Sequence, residues 1–330
     1  MKKSVFALVI ALLFATGCVH SQDASEGYIL TPDKVRIFYK IVGSGTETVV
    51  MVHGGPGNSL ESIRADLVRL EKGRRLIYYD QRGQGRSEVI TDEKKLGYEN
   101  HVADLEAVRQ HFKLEKMSLY GNSWGGLLIS LYAVAHPDRI ERMVLGNPAA
   151  PMHEFMTDQR DEIARRTEVM YTQKQRERLK FAEKSANWLK AKDVLAVCKE
   201  FFIDILKTYT YSRTMDIGFK GDLCAGPKES VRQWRAVNYA LWRSLGDFNL
   251  LPKLGVVTAP VLVIHGVADV LPVRGSEFWA SGYPNARLLL IEKAGHISHV
   301  ERADVFFPAV ETFLKGNFPA EAKKVERQKY

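Results

Sequence analysis

From Lys34 onward, short runs rich in β-branched and aromatic residues alternate with stretches whose apolar positions recur at helical spacing. This alternation limits the fold more than any other feature of the chain. Lys34 to Val42 and Glu47 to His53 read as strands, Ser59 to Leu70 as a helix, and Arg75 to Asp80 as the next strand. The rhythm continues with a helix over His101 to Phe112, a strand at Met117 to Tyr120, a helix over Gly125 to Ala135 and a strand at Arg142 to Leu145. Strands separated by helices predict an α/β fold: a mostly parallel central sheet, helices on both faces, and ligands bound beyond the carboxyl ends of the strands.

After Pro148 the rhythm stops. Residues 149–253 are charge-rich and helical, with Gln159 to Lys192 dense in Arg, Lys and Glu, and they read as an inserted helical cap. Within it, the run Gln173 to Lys192 reads as a solvated helix face. Strands return at Pro260 to His265 and Ala286 to Glu292, and a helix near Ala303 to Leu314 closes the chain. The core is thus split into 28–148 and 254–318, and the polar tail 319–330 is expected to fray.

The 330 residues are 45% hydrophobic, 26% charged and 10% aromatic, which supplies a large core and excludes disordered, collagen-like and multi-span membrane classes. The net charge of +8 shows no Arg/Lys stripe interleaved with aromatics, so it reads as solubility and no nucleic-acid partner is expected.

The first residues carry an address. Lys2 and Lys3 precede an apolar run from Val5 to Ala15, too short to span a bilayer core that needs about 20 residues, and read as a secretory signal over 1–17. Its end, Leu13-Phe14-Ala15-Thr16-Gly17-Cys18, resembles the bacterial lipoprotein box. The resemblance implies lipid on Cys18, a membrane anchor in the cell envelope and a polar tether over 18–27. With Val19 rather than aspartate next, it implies the outer membrane facing the periplasm in a Gram-negative host. A plain secretory cut would fall at the same bond. Cys198 and Cys224 remain in the body; an oxidising compartment permits a disulfide between them, and two buried thiols are the alternative.

The chemistry centres on Gly121-Asn122-Ser123-Trp124-Gly125, a G-x-S-x-G pentapeptide that follows a predicted strand and opens a predicted helix. A sharp turn there presents the serine hydroxyl at the sheet's edge. Serine needs a base to take its proton and an acid to orient that base. In this strand-turn-helix arrangement the chain order is Ser, acid, His. Asp269 follows the strand Pro260 to His265, and His296 follows the strand Ala286 to Glu292, so Ser123, Asp269 and His296 are assigned as nucleophile, orienting acid and general base. Two N–H groups must face the oxyanion. They are assigned to Trp124 and to Gly55, in the glycine-rich turn His53-Gly54-Gly55-Pro56-Gly57.

Together with Asp80-Gln81-Arg82-Gly83-Gln84-Gly85-Arg86-Ser87, these motifs resemble α/β-hydrolase fold enzymes of the proline iminopeptidase type over about Gly27 to Lys315. The resemblance implies a serine hydrolase with a helical cap, acting on a small-molecule or short-peptide substrate with no metal and no cofactor. Members that remove an N-terminal residue hold its amine with cap glutamates. The matching stretch here, Val237-Asn238-Tyr239, has valine at that place, leaving Glu154, Asp216 or Asp247 as substitutes.

His53, Gly54, Asn122, Tyr239 and Trp242 are the candidates for lining a substrate pocket. His299 is the alternative base and Asp247 the alternative acid, while Asp80 and Arg82 read as shaping their loop. His296-x-x-His299 with Glu301 lacks a matching ligand cluster for zinc. An ester or lactone hydrolase remains the second reading and a binding protein without turnover the third. A serine at 123 excludes the dehalogenase and epoxide hydrolase chemistry of this fold, which uses an aspartate nucleophile.

Overall fold

The computed structural model describes residues 25–213 and 216–326. Val50 and Val52 turn to one side of the central sheet and Val49 and Met51 to the other, and all four are buried. Strands that are apolar on both faces need helices on both faces. The chain enters through β1 (Ser25–Leu30), β2 (Arg36–Val42) and β3 (Glu47–Val52), then α1 (Glu61–Arg64), β4 (Arg74–Tyr79) and α2 (Tyr98–His111). It continues through β5 (Met117–Asn122), α3 (Trp124–Ala135) and β6 (Ile140–Gly146). Five helices follow: α4 (Glu154–Met170), α5 (Gln173–Ala182), α6 (Ser185–Lys190), α7 (Val194–Tyr209) and α8 (Lys228–Leu245). The sheet then resumes with β7 (Val261–Gly266), α9 (Val273–Gly282), β8 (Ala286–Ile291), α10 (Ser298–Glu301) and α11 (Ala303–Leu314).

The eight strands lie in the order β1-β2-β4-β3-β5-β6-β7-β8. The β1–β2 and β2–β4 pairs are antiparallel, and every pair from β4 to β8 is parallel. The order reverses between β3 and β5, which opens a crevice at their carboxyl ends. One face is covered by Leu105, Leu127, Tyr132 and Trp279 from α2, α3 and α9, the other by Ile63, Phe306, Val310 and Phe313 from α1 and α11.

The cap has its own core of Trp188, Phe201, Phe202 and Trp234, and a disulfide joins Cys198 on α7 to Cys224 in the segment before α8. Its two ends leave and rejoin the sheet side by side: His153 N–H donates to Phe248 O at 2.8 Å and Leu250 N–H to Pro151 O at 2.9 Å. The charged run is solvated on one side only, because Leu179, Ala182 and Trp188 turn inward.

Three expectations are corrected. The expected tether cannot extend to Gly27, because Ser25, Glu26 and Gly27 already pair with Ile41, Lys40 and Tyr39 as an edge strand. The helix expected over Ser59 to Leu70 breaks into α1 and a 3₁₀ turn over Val68–Glu71, although Leu60, Ile63, Leu67 and Leu70 are all buried as their spacing requires. The polar tail is docked rather than frayed as far as it is described, with Ala322 buried and Leu288 and Lys323 exchanging backbone hydrogen bonds at 2.8 Å. Cys18 and the signal segment lie outside the described residues.

Candidate active site

Ser123 is the single residue between β5 and α3, and it takes φ 55° and ψ −121°. A non-glycine residue there stores strain, held in place by packing. A Cβ on Gly121 would fall 2.4 Å from Gly125 O, and one on Gly125 would fall 2.3 Å from Val52 O, so the flanking glycines are dictated by close approach of strand and helix. The turn is pinned to β6 and the residues after it: Ser123 N–H donates to Gly146 O and Ala149 N–H to Ser123 O, both at 3.0 Å.

The next residue after Gly146 joins this turn to the acid and base. His296 Nδ1 and Asp269 Oδ2 are 2.8 Å apart. Asn147 Nδ2 donates to the same Asp269 oxygen and to Gly295 O, each at 3.0 Å, and Asn147 Oδ1 accepts the Ser298 hydroxyl at 2.5 Å. The other Asp269 oxygen accepts Leu271 N–H at 3.1 Å. Burial alone would raise the Asp269 pKa; the charge and hydrogen bond of His296, with His265 and the Leu271 N–H, reverse the sign and hold it below the ordinary value, so the acid is ionised. His299 fails as the alternative base. It is buried with no partner on either ring nitrogen, and burial, aided by His296, lowers its pKa to about 3. Asp247 is exposed on the surface, away from any histidine partner among the described hydrogen bonds.

The glycine-rich turn lies against the elbow: a Cβ on Gly54 would meet Ser123 Cβ and Asn122 O, both at 3.1 Å. The N–H groups of Gly55 and Trp124 are not taken by another group among the described residues. A chain of hydrogen bonds ties them together from below. Trp124 Nε1–H donates to Gln81 Oε1 at 2.8 Å, Gln81 Nε2–H to His53 O at 2.9 Å, and Gln81 N–H to His53 Nε2 at 3.2 Å. Since Nε2 accepts, the His53 proton is on Nδ1, which reaches Gly54 O at 2.8 Å. Burial lowers the His53 pKa to about 4, so the ring stays neutral. His53 is therefore a strut beneath the loop, with both nitrogens occupied. Asn122 is also occupied, donating to Gly146 O at 3.1 Å.

Asp80 and Arg82 shape the neighbouring loop. Asp80 accepts Leu60 N–H and Arg86 N–H, each at 2.7 Å, and a Cβ on Gly85 would fall 2.3 Å from its carboxyl carbon. Arg82 is clamped by Asp104 at 2.5 Å and Asp33 at 3.0 Å.

The cap rests on this assembly through α8. Trp234 Nε1–H donates to Asn58 Oδ1 at 2.6 Å and Asn238 Nδ2–H to Pro56 O at 2.9 Å. Trp242 meets Trp124 edge to face at 5.4 Å, whereas Tyr239 is largely exposed and donates to Glu183 O. Val237 is fully buried, and Glu154, Asp216 and Asp247 are exposed. Further cap contacts were invisible in the residue pattern. Arg166 donates to Asp269 O at 3.0 Å and Thr208 O at 2.7 Å, the Tyr209 ring packs 5.1 Å from that of His296, and Tyr209 O accepts His296 N–H at 2.7 Å. Glu301 accepts Gly295 N–H at 2.7 Å and Tyr211 N–H at 2.8 Å, tying the base's loop to the cap. Asn147 had a signal, its place two residues past a predicted strand; Arg166 lay in charged surroundings without one, and Glu301 stood out only by its spacing from His296 and His299. A surface cavity of about 250 Å³ between α5 and α7, lined by Lys174, Arg178 and Phe181, includes none of the rim residues.

An elbow serine, a hydrogen-bonded His–Asp pair and a capped parallel sheet define a class. The chain belongs to the α/β hydrolase fold family, which matches residues 47–303, and it is a hydrolase. It is 28% identical over 286 residues to the proline iminopeptidase of Lactobacillus helveticus (strain DPC 4571), a match covering 84% of this chain and 93% of that protein. The solved proline iminopeptidase of Mycobacterium smegmatis has a TM-score of 0.64 at 24% identity over 88% of this chain and 98% of its own. An esterase from Exiguobacterium antarcticum has a TM-score of 0.58 at 21% identity, covering 87% and 98%. These two likenesses are of fold.

Proposed function

We propose that this hydrolase is a serine hydrolase working through an acyl-enzyme, and that its substrates are small peptides from which it removes an N-terminal residue, as in a proline iminopeptidase. The observation that carries the chemistry is the 2.8 Å His296–Asp269 contact at the rim where β5 ends in Ser123. Ser123 Oγ attacks the substrate carbonyl while its proton passes to His296 Nε2; Asp269 holds the Nδ1–H and stabilises the imidazolium. The tetrahedral oxygen lies between the Gly55 and Trp124 N–H groups, whose positions are fixed through Gln81 and His53. His296 then hands the proton to the leaving amine. Water, activated by the same base, releases the acyl group.

The peptide reading draws on the extent of the match to a proline iminopeptidase, 84% of this chain. A second reading, a carboxylic ester hydrolase, is favoured by Val237, buried and uncharged where an amine-binding carboxylate would be wanted. Rates on a prolyl arylamide and on a short-chain aryl ester separate the two. Turnover of the arylamide alone supports the peptidase, and turnover of the ester alone overturns it.

The protein is further proposed to be exported through residues 1–17 and anchored by lipid on Cys18. The Cys198–Cys224 disulfide supports an oxidising compartment. Mass spectrometry of the mature N-terminus tests this, and an unmodified Cys18 refutes the anchor.

A further inference from the structure

Among the described residues, Arg235 is the partly buried cap arginine whose terminal nitrogens have no protein partner. The other arginines held at least partly within the cap spend their terminal nitrogens on protein oxygens: Arg166 on Thr208 O, Arg176 on Tyr171 O, Arg178 on the Asp204 carboxylate and Arg232 on Ala191 O. Arg235 is different. Its Nε–H donates to Ala182 O at 3.2 Å, and its guanidinium lies 4.9 Å from the Trp234 ring centre and 5.3 Å from those of Phe201 and Tyr239. No hydrogen bond or ion pair among the described residues takes either Nη. Burial lowers its pKa from the ordinary value, the direction expected of a cation short of partners, yet an arginine stays charged at neutral pH.

The residues beside it rest on the loop of the candidate site. Trp234, one position earlier, is bonded to Asn58, and Asn238, three positions later, to the carbonyl of Pro56, so this turn of α8 sits on the loop that carries Gly55. Tyr209, whose ring packs against His296, has its hydroxyl in the field of the Arg235 charge. Glu183, an acidic residue whose charge acts on Arg235, is exposed.

We infer that Arg235 anchors a carboxylate carried by the substrate, an inference that rests on the acyl-hydrolase reading of the same site. The two Nη groups leave a planar fork of N–H donors that matches a carboxylate edge to edge. The aromatic walls lower the local dielectric and strengthen that pairing. Two kinds of short acyl compound end in such a group: a di- or tripeptide with a free C-terminus, and a monoester of a dicarboxylic acid. The competing account is that Arg235 is packing alone, a cation on aromatic faces. In that case its loss would affect charged and neutral substrates alike.

Matched pairs decide. Prolyl-alanine is compared with prolyl-alaninamide, and mono-p-nitrophenyl glutarate with p-nitrophenyl valerate, in wild type, Arg235→Met and Arg235→Lys, with thermal melts confirming folding. The charged-to-neutral ratio of kcat/KM is expected to fall roughly tenfold or more in Arg235→Met in one pair, chiefly through KM, and to recover in part in Arg235→Lys. The pair that responds names the source of the carboxylate. A ratio within twofold of wild type in both pairs overturns the inference. Calorimetric binding of glutarate to Ser123→Ala, with and without Arg235→Met, reads the same contact without turnover; equal affinity, or no binding to either, overturns it as well. Failure of the hydrolase reading looks different, because wild type would then resist fluorophosphonate labelling while glutarate binding still depended on Arg235.

Discussion

Asn147→Gly tests the site's geometry while Ser123, Asp269 and His296 all stay in place. Asn147 has φ 46°, which glycine adopts without strain, so the substitution removes the side chain and leaves the turn unstressed. Two donated hydrogen bonds of 3.0 Å vanish, to Asp269 Oδ2 and Gly295 O, and the Ser298 hydroxyl loses its acceptor. A hydrogen bond to a charged group contributes about 1.5–3 kcal/mol and a neutral one about 0.5–1.5 kcal/mol, so the one charged and two neutral bonds together come to about 2.5–6 kcal/mol. Part of it appears as stability, because these groups are buried. The remainder appears as rate, because the acid and the residue before the base are both released from one anchor. The urea midpoint should drop, and kcat should fall about 10- to 100-fold with KM changed less, a tenfold loss being about 1.4 kcal/mol of barrier. Asn147→Ala should cost about 1–2 kcal/mol more in stability, from the left-handed backbone, with little further loss of rate. Urea unfolding and steady-state kinetics on a short-chain aryl ester measure both. If Asn147→Gly keeps its midpoint and a kcat within twofold of wild type, the argument that Asn147 holds the pair is wrong.

Two further perturbations address burial and the cap. With the folded pKa of His299 lowered to about 3, the unfolded chain takes up a proton below pH 6.5 that the folded state refuses, so stability is lost as pH falls through that window. His299→Leu should remove about 2 kcal/mol of the stability difference between pH 7 and pH 5, and an unchanged difference refutes the reasoning. The Cys198–Cys224 bond spans 26 positions, for which loop-closure entropy gives about 3.5 kcal/mol. The double variant Cys198→Ser/Cys224→Ser should unfold at lower urea, and reductant should bring wild type to the same midpoint. A wild type indifferent to reductant contradicts the disulfide.

What could be read in the residues was what depends on short-range pattern. The buried strands are continuous apolar runs, and Gly121, Ser123 and Gly125 carry the elbow because nothing larger fits between Val52 O and the helix. The positions of Asp269 and His296 followed from their places after two late strands. The edge strand β1 was missed because only Ile29 of its six residues is fully buried and it opens with Ser25, Glu26 and Gly27, a composition that also suits a tether. Trp234 bonds the loop through Asn58, a contact across 176 positions that no local period encodes. For the same reason nothing local marks Arg166. Its partners are carbonyls brought beside it only when the cap closes on the sheet.

The central claim is that Ser123 is an activated nucleophile. Purified protein lacking residues 1–17 and its Ser123→Ala variant, both shown to be folded, are treated with a fluorophosphonate probe. Labelling of wild type alone is the predicted result, because only a serine paired with a working base attacks phosphorus readily. Equal labelling of both, or none in a folded wild type, contradicts the assignment of Ser123 and with it the proposed mechanism.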